Sequence, residues 1–208
     1  MHYRAIQFCL MLLACLFVTG GAAAHPHVWV TMKSELVYAP DGSITGVRHA
    51  WTFDEMFSTF ATQGLETKKK GVFTREDLKP LAEVNVTSLK EFDFFTYAKA
   101  NGNKVQLTDP VDYYLDFTNS ELTLHFTLPL KKPVKAQTVE FEVYDPSYFV
   151  DFAFAEKDPV TLVSAPPACK MSVMRPGQSA PVGETFFAQP DASNYGAQFA
   201  SKIMVKCP

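Results

Sequence analysis

Hydrophobic and polar positions alternate with a period of two along much of this chain and switch to helical spacing in two stretches. Val28, Val30 and Met32 alternate with Trp29 and Thr31, and a β-rich run returns from Ile44 to Phe53. Between them Ala39-Pro40-Asp41-Gly42-Ser43 supplies turn chemistry, the proline presetting φ and the glycine accepting a positive one, so residues 27–53 are predicted to form a hairpin. Asp54 stands as an N-cap before Met56, Phe57, Phe60 and Ala61, with Gly64 to end that helix. A second helix is expected from Thr74, because Thr74-Arg75-Glu76-Asp77 has the form of a capping box with Asp in place of Glu. It carries Leu78, Leu81, Val84 and Leu89 and is expected to run through Phe92 and Phe95 to a break at Asn101-Gly102-Asn103. Then alternation returns: Leu122, Leu124, Phe126 and Leu128 against Thr123, His125 and Thr127, and again at Val139, Phe141 and Val143. Residues 111–117, 148–154 and 160–163 are further strand segments. The tail after Cys169 predicts a short strand, a polar loop, a helix over 192–201 and a last strand ending at Cys207. The expected fold is α+β: an antiparallel sheet system with an N-terminal hairpin followed by inserted helices.

The pattern before His25 is of another kind. Arg4 precedes an apolar run from Ile6 to Val18, followed by Thr19-Gly20-Gly21 and Ala22-Ala23-Ala24. A basic start, an apolar stretch and a small-residue exit predict a secretory signal peptide over 1–24, leaving 25–208 as one exported, periplasmic domain. Leu12-Leu13-Ala14-Cys15 has some likeness to a lipobox, but that reading leaves the small-residue exit unexplained. The apolar run is short for a membrane span, and no later stretch is long enough for one. Removal of the leader takes Cys9 and Cys15 with it, and the remaining pair, Cys169 and Cys207, is expected to form a disulfide in an oxidising compartment. Such a long closed loop contributes about 3–4 kcal/mol in the chain-entropy picture. A formal net charge of -3 argues against nucleic acid as a partner, which requires clustered Lys and Arg.

Scission after Ala24 would expose His25-Pro26-His27 as a new terminus. An α-amino group and two imidazoles titrate close enough to neutrality to become ligands together, and imidazole suits zinc, copper, nickel and cobalt. Pro26 has no N–H to lose, which blocks the square-planar mode that binds copper(II) or nickel(II) through deprotonated backbone nitrogens. The modes left use imidazole, amine and carboxylate, and they fit zinc more readily; a copper histidine brace on His25 stays open. So does the plain alternative of two solvated histidines.

Carboxylates for such a site come from the hairpin. If residues 38 and 44 oppose one another, opposing positions sum to about 82, which sets His27 near Glu55 with Asp54 adjacent. Asp54 is then either a ligand or a helix cap. His49 shares a strand face with Trp51, so a packed histidine and a ligand are both open; His125, on a polar face, is expected to be solvated. Tyr144-Asp145-Pro146-Ser147-Tyr148 is a turn leading to Asp151, and its carboxylates either line a site or finish a strand edge. Glu66 to Asp77 has the frame of a calcium loop, but Lys68 and Lys70 stand where oxygen donors belong, so no calcium binding is predicted.

Three of these segments together, His25-Pro26-His27-Val28-Trp29-Val30, Trp51-Thr52-Phe53-Asp54-Glu55-Met56-Phe57-Ser58 and Tyr144-Asp145-Pro146-Ser147-Tyr148, resemble domain-of-unknown-function family 1007. That family is described as the periplasmic component of an uncharacterised ABC-type transport system, and its members are associated with nickel/cobalt-type exporter permeases and zinc handling. The resemblance implies a periplasmic metal-binding accessory role beside an integral-membrane transporter, with His25 and His27 in the family's opening motif and Asp54 and Glu55 in its acidic pair. The alternatives from other classes are a copper oxidoreductase and an interaction domain with incidental histidines.

Overall fold

In a computed structural model of the chain, residues 26–67, 69, 71–176 and 192–208 are described. The hairpin forms as predicted, with β1 (Val28–Tyr38) antiparallel to β2 (Ile44–Phe53). Its turn is closed by Ala39 N–H donating to the Ser43 carbonyl at 2.8 Å, with Gly42 at φ 82°. Helix α1 (Glu55–Ala61) follows, capped by Asp54. Helix α2 (Arg75–Leu89) opens on the capping box of Thr74 and Asp77 and buries Leu78, Ala82 and Val86.

The second helix does not run on to Asn101. A 3₁₀ segment over Lys90–Phe95 follows it and ends in three successive left-handed residues, Asp93, Phe94 and Phe95. Positive φ cannot continue a right-handed helix, and the chain leaves as a strand, β3 (Thr96–Ala100), in which Thr96, Ala98 and Ala100 are buried. Asn101-Gly102, expected to break a helix, is instead a hairpin turn with both residues at positive φ, leading to the short β4 (Asn103–Val105).

The strands β5 (Val111–Thr118), β6 (Glu121–Val134), β7 (Thr138–Val143), β8 (Val150–Phe154) and β9 (Val160–Val163) fall where alternation placed them. The tail holds β10 (Lys170–Met174), a 3₁₀ segment over Ala192–Phe199 in place of the expected helix, and β11 (Ser201–Lys206). Two sheets result, one ordered β5-β6-β2-β1-β8 with β9 also on β1, the other β10-β11-β7-β3-β4. The first sheet is mixed, because β8 and β9 lie parallel to β1. Cys169 and Cys207 are bonded, tying the end of the chain to the start of β10.

The inner faces of both sheets feed one apolar cluster, in which Trp51, Phe126, Phe141, Met32 and Leu78 are essentially sealed from solvent. Polar clasps join the layers: the buried Ser201 donates its hydroxyl to the Phe152 carbonyl at 2.9 Å. Among the described residues no helix is long and apolar enough to cross a membrane.

Candidate functional site

The three conspicuous sequence segments meet at one corner of the first sheet. Parallel pairing of β1 with β8 sets Val28 opposite Val150 and Trp29 opposite Asp151. The N–H groups of His27 and Val28 both donate to the Phe149 carbonyl, at 2.9 and 3.2 Å. The His27 ring lies 4.8 Å from the Phe149 ring, and the imidazole is exposed.

That β8 end is fixed by Asp145. Its buried carboxylate accepts from the Ser147 N–H and hydroxyl, both at 2.8 Å, through one oxygen, and from the Phe149 and Val150 N–H groups through the other. Charge-assisted bonds of this number hold the turn that supports His27, so Asp145 is a positioning residue and its oxygens are committed. Gly196 is required beside it: its N–H donates to the Pro146 carbonyl, and a Cβ there would fall 1.7 Å from the Asp145 carbonyl oxygen. Asp151 is half-buried on the strand that follows, and burial pushes its carboxyl up.

The sum-of-82 register holds at the turn and fails beyond it. Tyr38 pairs with Ile44, but Val37 pairs with Gly46, so Thr45 is an extra residue and every pair up to Val30 with Phe53 is displaced by one. Such a bulge inserts one residue on one strand only. The close approach of Gly46 to Leu128, where a Cβ would lie 2.5 Å from a carbonyl oxygen, marks the place. Asp54 therefore faces Trp29 rather than adjoining a His27–Glu55 pair. One carboxylate oxygen accepts the Phe57 N–H at 2.9 Å as helix cap, and the other accepts the Trp29 N–H at 3.0 Å. Asp54 closes the corner, ending β2, starting α1 and holding β1.

His49 is placed elsewhere. It lies in the core opposite Ser34, about 23 Å of extended chain from His27 at ~3.3 Å per residue. Its ring is flanked by Trp51 and Phe126, at 5.5 and 5.3 Å between centroids. The Thr96 hydroxyl donates to the Phe94 carbonyl and so receives the His49 Nε2–H, across a long 3.4 Å; Nδ1 then accepts from the Ser34 hydroxyl at 2.9 Å. Both nitrogens are engaged inside the buried core between the sheets. Burial lowers the imidazole pKa to about 3.

His125 is half-buried rather than fully solvated, stacked on Tyr114 at 4.5 Å and 3.5 Å from Asp116, and burial lowers its pKa. Arg75 holds Asp116 through two bonds of 2.7 and 2.9 Å and covers Tyr114. This quartet was not legible in sequence, since residues 75, 114, 116 and 125 come from three elements.

His25 lies outside the described residues, as do the leader segment, Lys68 and Lys70. Asp77 of the calcium-like frame is committed to the capping box. Among the described residues no group of three or more His, Cys, Asp or Glu side chains is arranged to hold a metal. What the corner offers is one exposed imidazole, two carboxylates held by backbone N–H groups, and Glu55 at the first turn of α1.

The chain matches the family described as protein of unknown function (DUF1007) over residues 10–207 and is a member of that family. It is 24% identical over 206 residues to an uncharacterised protein of Haemophilus influenzae, covering 94% of this chain and 97% of that one. It is also 26% identical over 93 residues to an uncharacterised 15.5 kDa protein in the trpE 3′ region of Spirochaeta aurantia, covering 44% of this chain and 66% of the relative.

Proposed function

We propose that this is a periplasmic carrier of a transition metal, zinc in the first place and nickel or cobalt in the second, which works beside a membrane metal transporter. The metal is cargo. His25, through its imidazole and the amine freed by leader removal, and His27 supply the nitrogen donors; a carboxylate, Glu55 or Asp151, completes a tetrahedral set. Asp54 and Asp145 act as holders of the backbone, because their oxygens already accept N–H groups.

The observation that carries this reading is the anchoring of an exposed His27 on a corner built from all three conspicuous segments. Asp54 and Asp145 hold the backbone around His27, which supports the reading because a bound cation then has little backbone left to order. Large apolar side chains stand exposed around the same elements: Trp29 at 45%, Met56 at 67%, Phe60 at 73% and Phe149 at 47%. Exposed apolar groups of this size support docking to another protein, as transfer to a transporter requires.

Calorimetric zinc titration of protein beginning at His25 tests the reading. One zinc per chain is expected, with affinity lost on adding a single residue before His25 and on His27→Gln. Absence of zinc binding by the correctly processed protein would favour an interaction domain and end the proposal.

A further inference from the structure

A cleft of about 700 Å³ opens on the second sheet, lined by none of His27, Asp54, Glu55 or Asp151. It exists because β4 pairs with β3 only from Ala98 to Ala100. Beyond Val105 the chain departs to the other sheet, where Leu107 bridges Leu130, and a gap is left beside Tyr97. The wall of the gap is Tyr97 and Tyr144, whose rings lie 4.7 Å apart and tilted by 32°.

The cleft carries both signs of charge, with Asp93, Lys99, Lys104 and Glu142 all in its lining. Asp93 stands at one rim, placed there by the left-handed turn of residues 93–95. Lys104 lies at the other, directly opposite Lys99 in the β3–β4 register. Lys99 is neutralised by Glu140 and Glu142, at 3.9 and 3.8 Å, while neither Asp93 nor Lys104 has a side-chain ion pair or hydrogen bond among the described residues. Asp93 precedes β3 and Lys104 pairs with Lys99, two residues or about 7 Å beyond Tyr97, so Tyr97 lies between them in strand order. The negative character of the first end is felt by Tyr97, whose phenol is pushed up to about 12, by burial first and then by Tyr144, Asp93 and Asp145.

We infer that this cleft binds a short zwitterionic peptide of two or three residues, its ammonium at Asp93, its carboxylate at Lys104 and its backbone along Tyr97 and Tyr144. A free amino acid carries both charges on one carbon and cannot reach both ends, whereas each extended residue adds about 3.3–3.6 Å. The cleft volume suits a ligand of that size. The cleft shares no side chain with the proposed metal ligands, although its Tyr144 adjoins Asp145.

The test is calorimetry of the exported protein with trialanine, N-acetyl-trialanine, trialanine amide and free alanine, with and without zinc. Trialanine binds, alanine does not, and zinc makes no difference. Each cap weakens binding by up to about fivefold, the range expected of a partly exposed charge pair. Asp93→Asn, which keeps a residue tolerant of positive φ, weakens trialanine as acetylation does and is itself indifferent to acetylation. Lys104→Gln behaves in the same way towards amidation. Failure to bind trialanine at roughly millimolar concentration, or binding insensitive to both caps, overturns the proposal.

Discussion

His27 and His49 come from the same hairpin, and by residue type alone each qualifies as a ligand. Their surroundings divide them. His49 sits between two sheets with both nitrogens bonded to hydroxyls, and burial favours its neutral form. His27 stands at an edge, its backbone tied to Phe149 and its ring exposed. A ligand needs a lone pair that a cation can reach, and a buried histidine has already spent its lone pair on folding. The core imidazole thus serves stability and the corner imidazole stands exposed at the surface, a division that experiment can break or sharpen.

The largest effect is expected from acid. Above pH 6.5 both folded and unfolded chains hold a neutral His49. As pH falls from 6.5 towards 3 the unfolded chain takes up a proton that the native core refuses, so stability drops throughout that window. The loss from this one residue is on the order of 4 kcal/mol by pH 3. Urea unfolding between pH 7 and about 5 should show a steeper slope in wild type than in His49→Gln, where His125 still contributes. An equal slope in both would mean the core tolerates the imidazolium.

Truncation comes next. His49→Ala leaves a cavity and two hydroxyls without their partner, and should cost about 3 kcal/mol or more in denaturant unfolding. A loss of metal affinity from this variant, in protein still folded by circular dichroism, would place His49 at the cargo site after all.

At the corner the effects shrink. Ser58 is buried, accepting the Leu122 N–H at 2.9 Å, and Ser58→Ala orphans that donor at about 1–3 kcal/mol. Asp54→Ala removes the cap of α1 and the Trp29 clamp, and about 1–2 kcal/mol is expected from the cap. Faster amide exchange at Phe57 and Trp29, with His49 protection unchanged, would show that corner and core open separately.

Much of this architecture was readable in residue order, for local reasons. The Pro40–Gly42 turn, the Asp54 cap and the Thr74–Asp77 box each act within four residues, and period-two alternation located most strands. The misreadings have physical causes as well. Asn101-Gly102 carries hairpin chemistry, yet the apolar spacing of Phe92 and Phe95 drew the expected helix past Thr96. The Thr45 bulge answers to the approach of Gly46 to Leu128 on a third strand, so hairpin counting alone could not reveal it. Parallel pairing of β8 with β1, which brings Phe149 to His27, joins segments more than a hundred residues apart as the chain passes from β7 in the second sheet to β8 in the first. Candidate chemistry could be named from sequence, but which residues share a place could not.

Direct observation of the imidazole nitrogens tests the central claim most sharply. In nitrogen-15 spectra of protein beginning at His25, one equivalent of zinc should move the ring resonances of His25 and His27 and leave those of His49 and His125 in place. Movement of His49, or an unchanged spectrum at every histidine, would contradict the account.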